Sequence, residues 1–117
     1  MNEAQVDLQQ LRIKHILFKS KVRSVLYGGT YDEFFFSSSG PIGTWFSAVG
    51  RVKYASVPEI IKLSQIHNAL SLTAAKLFQL YKRGLIEQAH EGLKEIDKSS
   101  DLFLSLLARL ETRLAAT

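Results

Sequence analysis

The sequence contains no cysteine. That excludes a disulfide scaffold, a thiol nucleophile, a thiolate metal site and a cysteine redox switch. It also fits a reducing compartment, and the expected location is the cytoplasm. Proline is nearly absent, with two residues, and there is one tryptophan and one methionine. No uninterrupted apolar run approaches the about 20 residues needed to cross a bilayer, so no membrane span is expected. The opening Met1-Asn2-Glu3-Ala4-Gln5 is polar and acidic, unlike the basic start of a secretory leader. Catalytic signatures are missing as well: there is no His-Glu-x-x-His, no phosphate-loop motif and no recognisable nucleophile–base spacing. The expectation is a protein that is not an enzyme.

What is present is an ordinary globular composition, 46% apolar and 22% charged over 117 residues, enough for one domain spanning 1–117 with one core. The net charge of +4 is modest. On its own it does not specify a nucleic-acid partner.

Apolar residues recur at helical spacing along most of the chain. A first helix is expected over about 3–27, with Leu8, Leu11, His15, Phe18, Val22 and Leu26 on one stripe and Gly28-Gly29 as its stop. Residues 28–40 read as a loop whose Phe34-Phe35-Phe36 run must tuck over the bundle. Gly40-Pro41 reads as an N-cap followed by a first-turn proline, opening a short helix with Ile42, Trp45 and Phe46 that ends near Gly50.

Ser56 and Glu59 have capping-box spacing at the head of a helix expected to reach Arg83 and stop at Gly84. That helix carries two apolar stripes. Ile60, Ala74, Phe78 and Tyr81 form one, and Leu63, Ile66, Leu70, Leu77 and Leu80 the other. A last helix over about 85–115 has Ile86, Ala89, Leu93, Ile96, Phe103, Leu107, Leu110 and Leu114 on its seam. Ser99-Ser100-Asp101 is expected to kink or restart it, since these residues favour caps over helix interiors. Three long helices and a short one imply an all-α fold, an antiparallel four-helix bundle.

Two histidines fall on these core stripes. His15 lies between Leu11 and Phe18, and His67 joins Ser64 and Ser71 in a polar strip within an apolar face. Buried polar groups need partners, so the strip either satisfies itself or holds something. The expectation is a hydrogen-bonded cluster of neutral His15 and His67, with tautomers set by Ser64, Ser71 or a water. His90 has no evident partner in sequence and is expected at the surface.

These residues resemble the chemoreceptor zinc-binding (CZB) domain family. Its pattern is a first-helix His followed by a large apolar residue, then Cys-x-Leu-Gly-x-Trp, then a His-x-x-x-His pair on a later helix. Here the elements are His15-Ile16-Leu17, Gly40-Pro41-Ile42-Gly43-Thr44-Trp45 and His67-Asn68-Ala69-Leu70-Ser71, and the resemblance spans about 10–110. Gly84 followed by Ala89 is similar to the family's turn between its last two long helices. Two ligand positions depart from the pattern: Gly40 stands where the Cys would be, and Ser71 where the second His would be.

The resemblance implies a sensory or regulatory module of bacterial signalling, attached to chemoreceptors or diguanylate cyclases. Its residual metal ligands would be His15 and His67, with zinc bound weakly if at all. Cys at 40 and His at 71 look sterically acceptable as reversions. Other signalling proteins are candidate partners, and so is a second copy, because Val6, Ile13 and Leu17 make an apolar patch on the back of the first helix.

Two alternatives accompany this expectation. A zinc site with substituted ligands could recruit Asp32 and Glu33. A nucleic-acid-binding protein would use Arg12, Lys14, Lys19, Lys21 and Arg23, but these divide between the two edges of the core stripe, and no nucleic acid is expected.

Overall fold

Asn2 sets the first helix. Its side chain accepts a hydrogen bond from Gln5 N at 2.8 Å while Gln5 Oε1 accepts from Asn2 N at 3.0 Å, a reciprocal cap at the start of α1 (Glu3–Leu26). All six residues of its expected core stripe are buried. The helix ends where Gly28 takes φ +96°, a conformation that a side chain would strain.

The computed structural model describes residues 1–116, and among them there is no strand. After α1 come α2 (Glu33–Phe36), α3 (Pro41–Trp45), a π-helical turn (Phe46–Gly50) and α4 (Arg51–Lys53). The long α5 (Pro58–Lys82), the short α6 (Ile86–Glu91) and the long α7 (Leu93–Ala115) complete the chain. The single short helix expected over 41–50 is therefore a broken run of helical pieces reaching Lys53. The loop expected over 28–40 contains α2.

Direction follows from the contacts. Asn2 Nδ2 donates to Leu114 O, Lys19 pairs with Asp97, and His90 bonds Leu26 O, so α7 and α6 run antiparallel to α1. Arg113 pairs with Glu59 while Gly92 sits against Leu77, so α7 runs antiparallel to α5 as well. The segment 33–53 returns along α1: Phe35 and Phe36 meet Phe18, and Lys53 reaches Glu3 and Asp7. Three long helices thus surround one core, with the broken segment laid beside α1, in a body of 50 × 24 × 21 Å.

Asp7 fixes that segment. Although charged, it is buried, and its carboxylate accepts the Tyr54 hydroxyl at 2.6 Å and Lys53 Nζ at 3.1 Å. Its backbone carbonyl accepts the Trp45 indole N–H at 3.0 Å. A buried carboxylate is tolerable with such partners.

Three expectations need correction. Ser56 does not cap α5; Val57 holds the N-cap position, and no side chain bonds the first turn. The buried residues of α5, Ile60, Leu63, His67, Leu70, Ala74 and Leu77, form one broad face, while Ile66, Phe78, Leu80 and Tyr81 are half-buried flanks. The last helix does not break at Ser99-Ser100-Asp101, which lies inside α7 with Ser100 wholly buried. The break is at Gly92, where a Cβ would stand 2.1 Å from Leu77 Cδ2, so the missing side chain lets this turn press against α5.

Candidate functional site

The His15 ring is fully enclosed. It stacks on Phe103 with centroids 4.2 Å apart and planes within 7°, and Nε2 is hydrogen-bonded to Ser100 Oγ at 2.8 Å. The partner expected from the sequence was Ser64, Ser71 or a water. Ser100 supplies the bond instead, from the triplet read as a helix break. The 3–4 spacing Ile96–Ser100–Phe103 places Ser100 on the buried seam of α7, a signal available in the sequence.

His67 sits on α5 with its ring edge-on to Phe18 at 5.0 Å and tilted against Phe46 at 6.3 Å. Its Nε2 lies 3.3 Å from Ser71 Oγ, as the polar strip predicted. Burial lowers the pKa of both histidines from 6.5 to about 4; for His15 the nearby His67, Lys19 and Arg12 push in the same direction. Both rings are uncharged at neutral pH. In each, Nδ1 is buried and bonded to none of the described residues.

Two neutral imidazoles are suitable donors for zinc, which needs about four ligands in a structural site. Among the described residues no group of three or more His, Asp or Glu side chains converges. Asp32 is engaged elsewhere: its Oδ1 accepts from Phe35 N at 3.0 Å and caps α2. Glu33 is exposed beside it.

Gly40 is the N-cap of α3, and Pro41 opens the helix, both as expected. A Cβ at 40, however, would meet the Phe35 carbonyl oxygen at 2.1 Å. Residue 40 is thus a glycine because two backbones touch there. The expectation that a cysteine fits this position without rearrangement is corrected.

A groove of about 940 Å³ opens between the returning segment and α5. His67, Ser64, Asn68 and Ser71 line one wall, and Phe36, Phe46, Ser47 and Arg51 the other. Sequence reading missed it, because its second wall is the π-helical turn. Such turns recur at functional sites.

The remaining singled-out residues lie apart from this site. His90 is half-buried, stacked on Tyr27 at 3.9 Å, with Nε2 bonded to Leu26 O; it fastens the end of α1 and is not a free surface residue. Arg12 and Lys19 are paired with Glu111 and Asp97 on α7, and Lys21 lies over the Phe35 ring. The basic residues of α1 therefore do not form one phosphate-facing patch. Val6, Ile13 and Leu17 are exposed, with Ile16 beside them. No helix among the described residues is long and apolar enough to cross a membrane.

No family model matches this sequence, and no curated protein or solved structure matches it either.

Proposed function

We propose that this chain is a non-catalytic regulatory module of the chemoreceptor zinc-binding kind, acting in signalling with its metal centre reduced to a histidine pair. The proposal rests on one observation: His15 on α1 and His67 on α5 are both buried in the core, and Phe18, three residues on from His15 in α1, lies edge-on to the His67 ring. A metal centre that fastens helices together needs ligands from different elements. The ordered spacing of His15, Ile42-Gly43-Thr44-Trp45 and His67 supports the same reading. In this proposal the segment 33–53 is the short fourth member of an antiparallel four-helix bundle. Stability comes from packing and hydrogen bonds, and zinc is bound weakly or not at all.

Signal output then runs through association, and the outer face of α1 is the proposed homodimer surface. Val6, Ile13, Ile16 and Leu17 are all exposed there, interspersed with uncharged Gln10, Ser20 and Ser24. Exposed charge on this helix is confined to its ends, Glu3 and Arg23, and an uncharged, partly apolar middle suits a protein contact. The test is zinc competition against a chromophoric chelator, with light scattering on the same samples. The expected result is no zinc withdrawn from the chelator and a mass that rises with concentration to twice the monomer. Stoichiometric tight zinc uptake by the wild type would reject the reduced centre. A monomer mass at every concentration would reject the dimer.

A further inference from the structure

Polar groups in a groove normally find protein partners or face open water. In the groove between the returning segment and α5 they face water: Arg51, Gln65 and Asn68 are exposed and Ser64 is half-buried. Ser64, Gln65 and Asn68 on α5 and Arg51 on α4 line it with their side chains bonded to no described residue. Apolar surface from Phe36, Phe46 and Ile60 lies between them. The volume, about 940 Å³, is that of a small-molecule site, and the mixture of apolar walls with a few placed polar groups is the usual make-up of one.

Charge narrows the ligand class. No Asp or Glu lines the groove, and Arg51 is its single formal charge. Among the described residues no ion pair engages Arg51. His67 adds no charge, because burial keeps its imidazole neutral. A guanidinium holds a carboxylate through two parallel hydrogen bonds, a geometry that a neutral amide cannot reproduce.

The wall also touches α5 at two places. Gly50 ends the π-helical turn, where a Cβ would lie 3.1 Å from the Trp45 ring and 3.3 Å from Ile60. The turn therefore seats on Ile60 at one end of the groove. Farther along, Phe46 meets the His67 ring. The lining residues Ile60 to Ser71 extend along about 16 Å of α5 at helical rise.

We propose that this groove binds a small organic carboxylic acid, with the carboxylate on Arg51 and the apolar body against Phe36, Phe46 and Ile60. Ser64 and Asn68 then face whatever oxygen or nitrogen the far part of the molecule carries. The site borders the histidine pair, since His67 and Ser71 line the same groove, but Arg51, Ser64 and Asn68 have no part in the proposed metal binding, so either reading can fail without the other. Occupancy would fasten the returning segment to α5.

The test is calorimetric titration of the full chain with three probe acids, octanoate, 3-phenylpropionate and naphthalene-2-carboxylate, each beside its primary amide. At least one acid is expected to bind one-to-one, about ten-fold more tightly than its amide, which is ~1.4 kcal/mol. Arg51→Gln is expected to erase the difference between acid and amide, and Arg51→Lys to restore part of it. Arg51 is exposed, so both variants should keep the wild-type melting temperature. Arg23→Gln, a change of equal charge outside the groove, should leave binding unchanged. Saturation by none of the three acids overturns the proposal. So does equal affinity for acid and amide, or an Arg51→Gln protein that binds the acid within two-fold of wild type.

Discussion

Ser100 Oγ and His15 Nε2 lie 2.8 Å apart in the fully buried interior, joining α7 to α1 across 85 residues of sequence. Removing the hydroxyl leaves an enclosed ring nitrogen without a partner. Ser100→Ala should therefore destabilise by about 1–3 kcal/mol, while Ser105→Ala on the exposed side of α7 should stay within about 0.5 kcal/mol. Urea unfolding of both variants checks this. Equal midpoints would mean that the bond adds nothing to stability.

The depressed histidines make a signed prediction for pH. Both fold with a pKa of about 4, against 6.5 when unfolded. Between these values the unfolded chain binds more protons than the folded one, so stability rises with pH there. The contribution is complete above pH 6.5, falls as the pH drops toward 4, and is flat below. Each histidine contributes at most about 3 kcal/mol. In proton NMR the ring signals of His15 and His67 should stay put from pH 8 to 5.5; a midpoint near 6.5 for either would contradict its burial.

Much of the architecture was legible because burial writes itself as spacing. Leu8, Leu11, His15, Phe18, Val22 and Leu26 were placed correctly by three- and four-residue steps alone. Gly40-Pro41 announced its helix by local chemistry. What failed was reading composition without the seam. Ser100 looked like a breaker because serine disfavours helix interiors, yet its position between Ile96 and Phe103 put it in the core, where a long-range partner decided its role. Gly40 was read as a lost ligand position, and the close approach there, the Phe35 carbonyl at 2.1 Å from a would-be Cβ, is a loop contact that no spacing reveals. The groove was invisible for the same reason: one wall is a π-helical turn, and the other is half of an ordinary helix face.

Tyr54 is held by Asp7 at 2.6 Å, and its phenol pKa is pushed up to about 12, first by burial and then by this bond. Tyr54→Phe should cost about 1–2 kcal/mol, because a hydrogen bond to a carboxylate is lost while Lys53 still faces Asp7. The ionisation sign is the reverse of that for the histidines. A phenol whose pKa is raised in the fold contributes fully below pH 10, and the contribution is lost as the pH climbs toward 12. Ultraviolet titration should show a late phenol ionisation, and Tyr54→Phe should remove it.

The two positions that depart from the zinc-binding pattern should respond differently to reversion. Ser71 Oγ already lies 3.3 Å from His67 Nε2, one helical turn away, so an imidazole at 71 shares the face of His67. Ser71→His would give three histidines from two helices, a ligand set found with zinc when water fills the fourth place. It should withdraw zinc from a chromophoric chelator and raise the melting temperature only when zinc is present. Gly40→Cys should do neither. Its Cβ must displace the Phe35 carbonyl, so the variant should melt lower with or without zinc. Adding it to Ser71→His should lower stability without tightening zinc. If the double variant instead binds zinc far more tightly than Ser71→His alone, the turn at Phe35 yields readily, and residue 40 is a vacated ligand position after all. If Ser71→His gains no zinc, His15 and His67 do not share a centre, and the proposed metal ancestry falls with it.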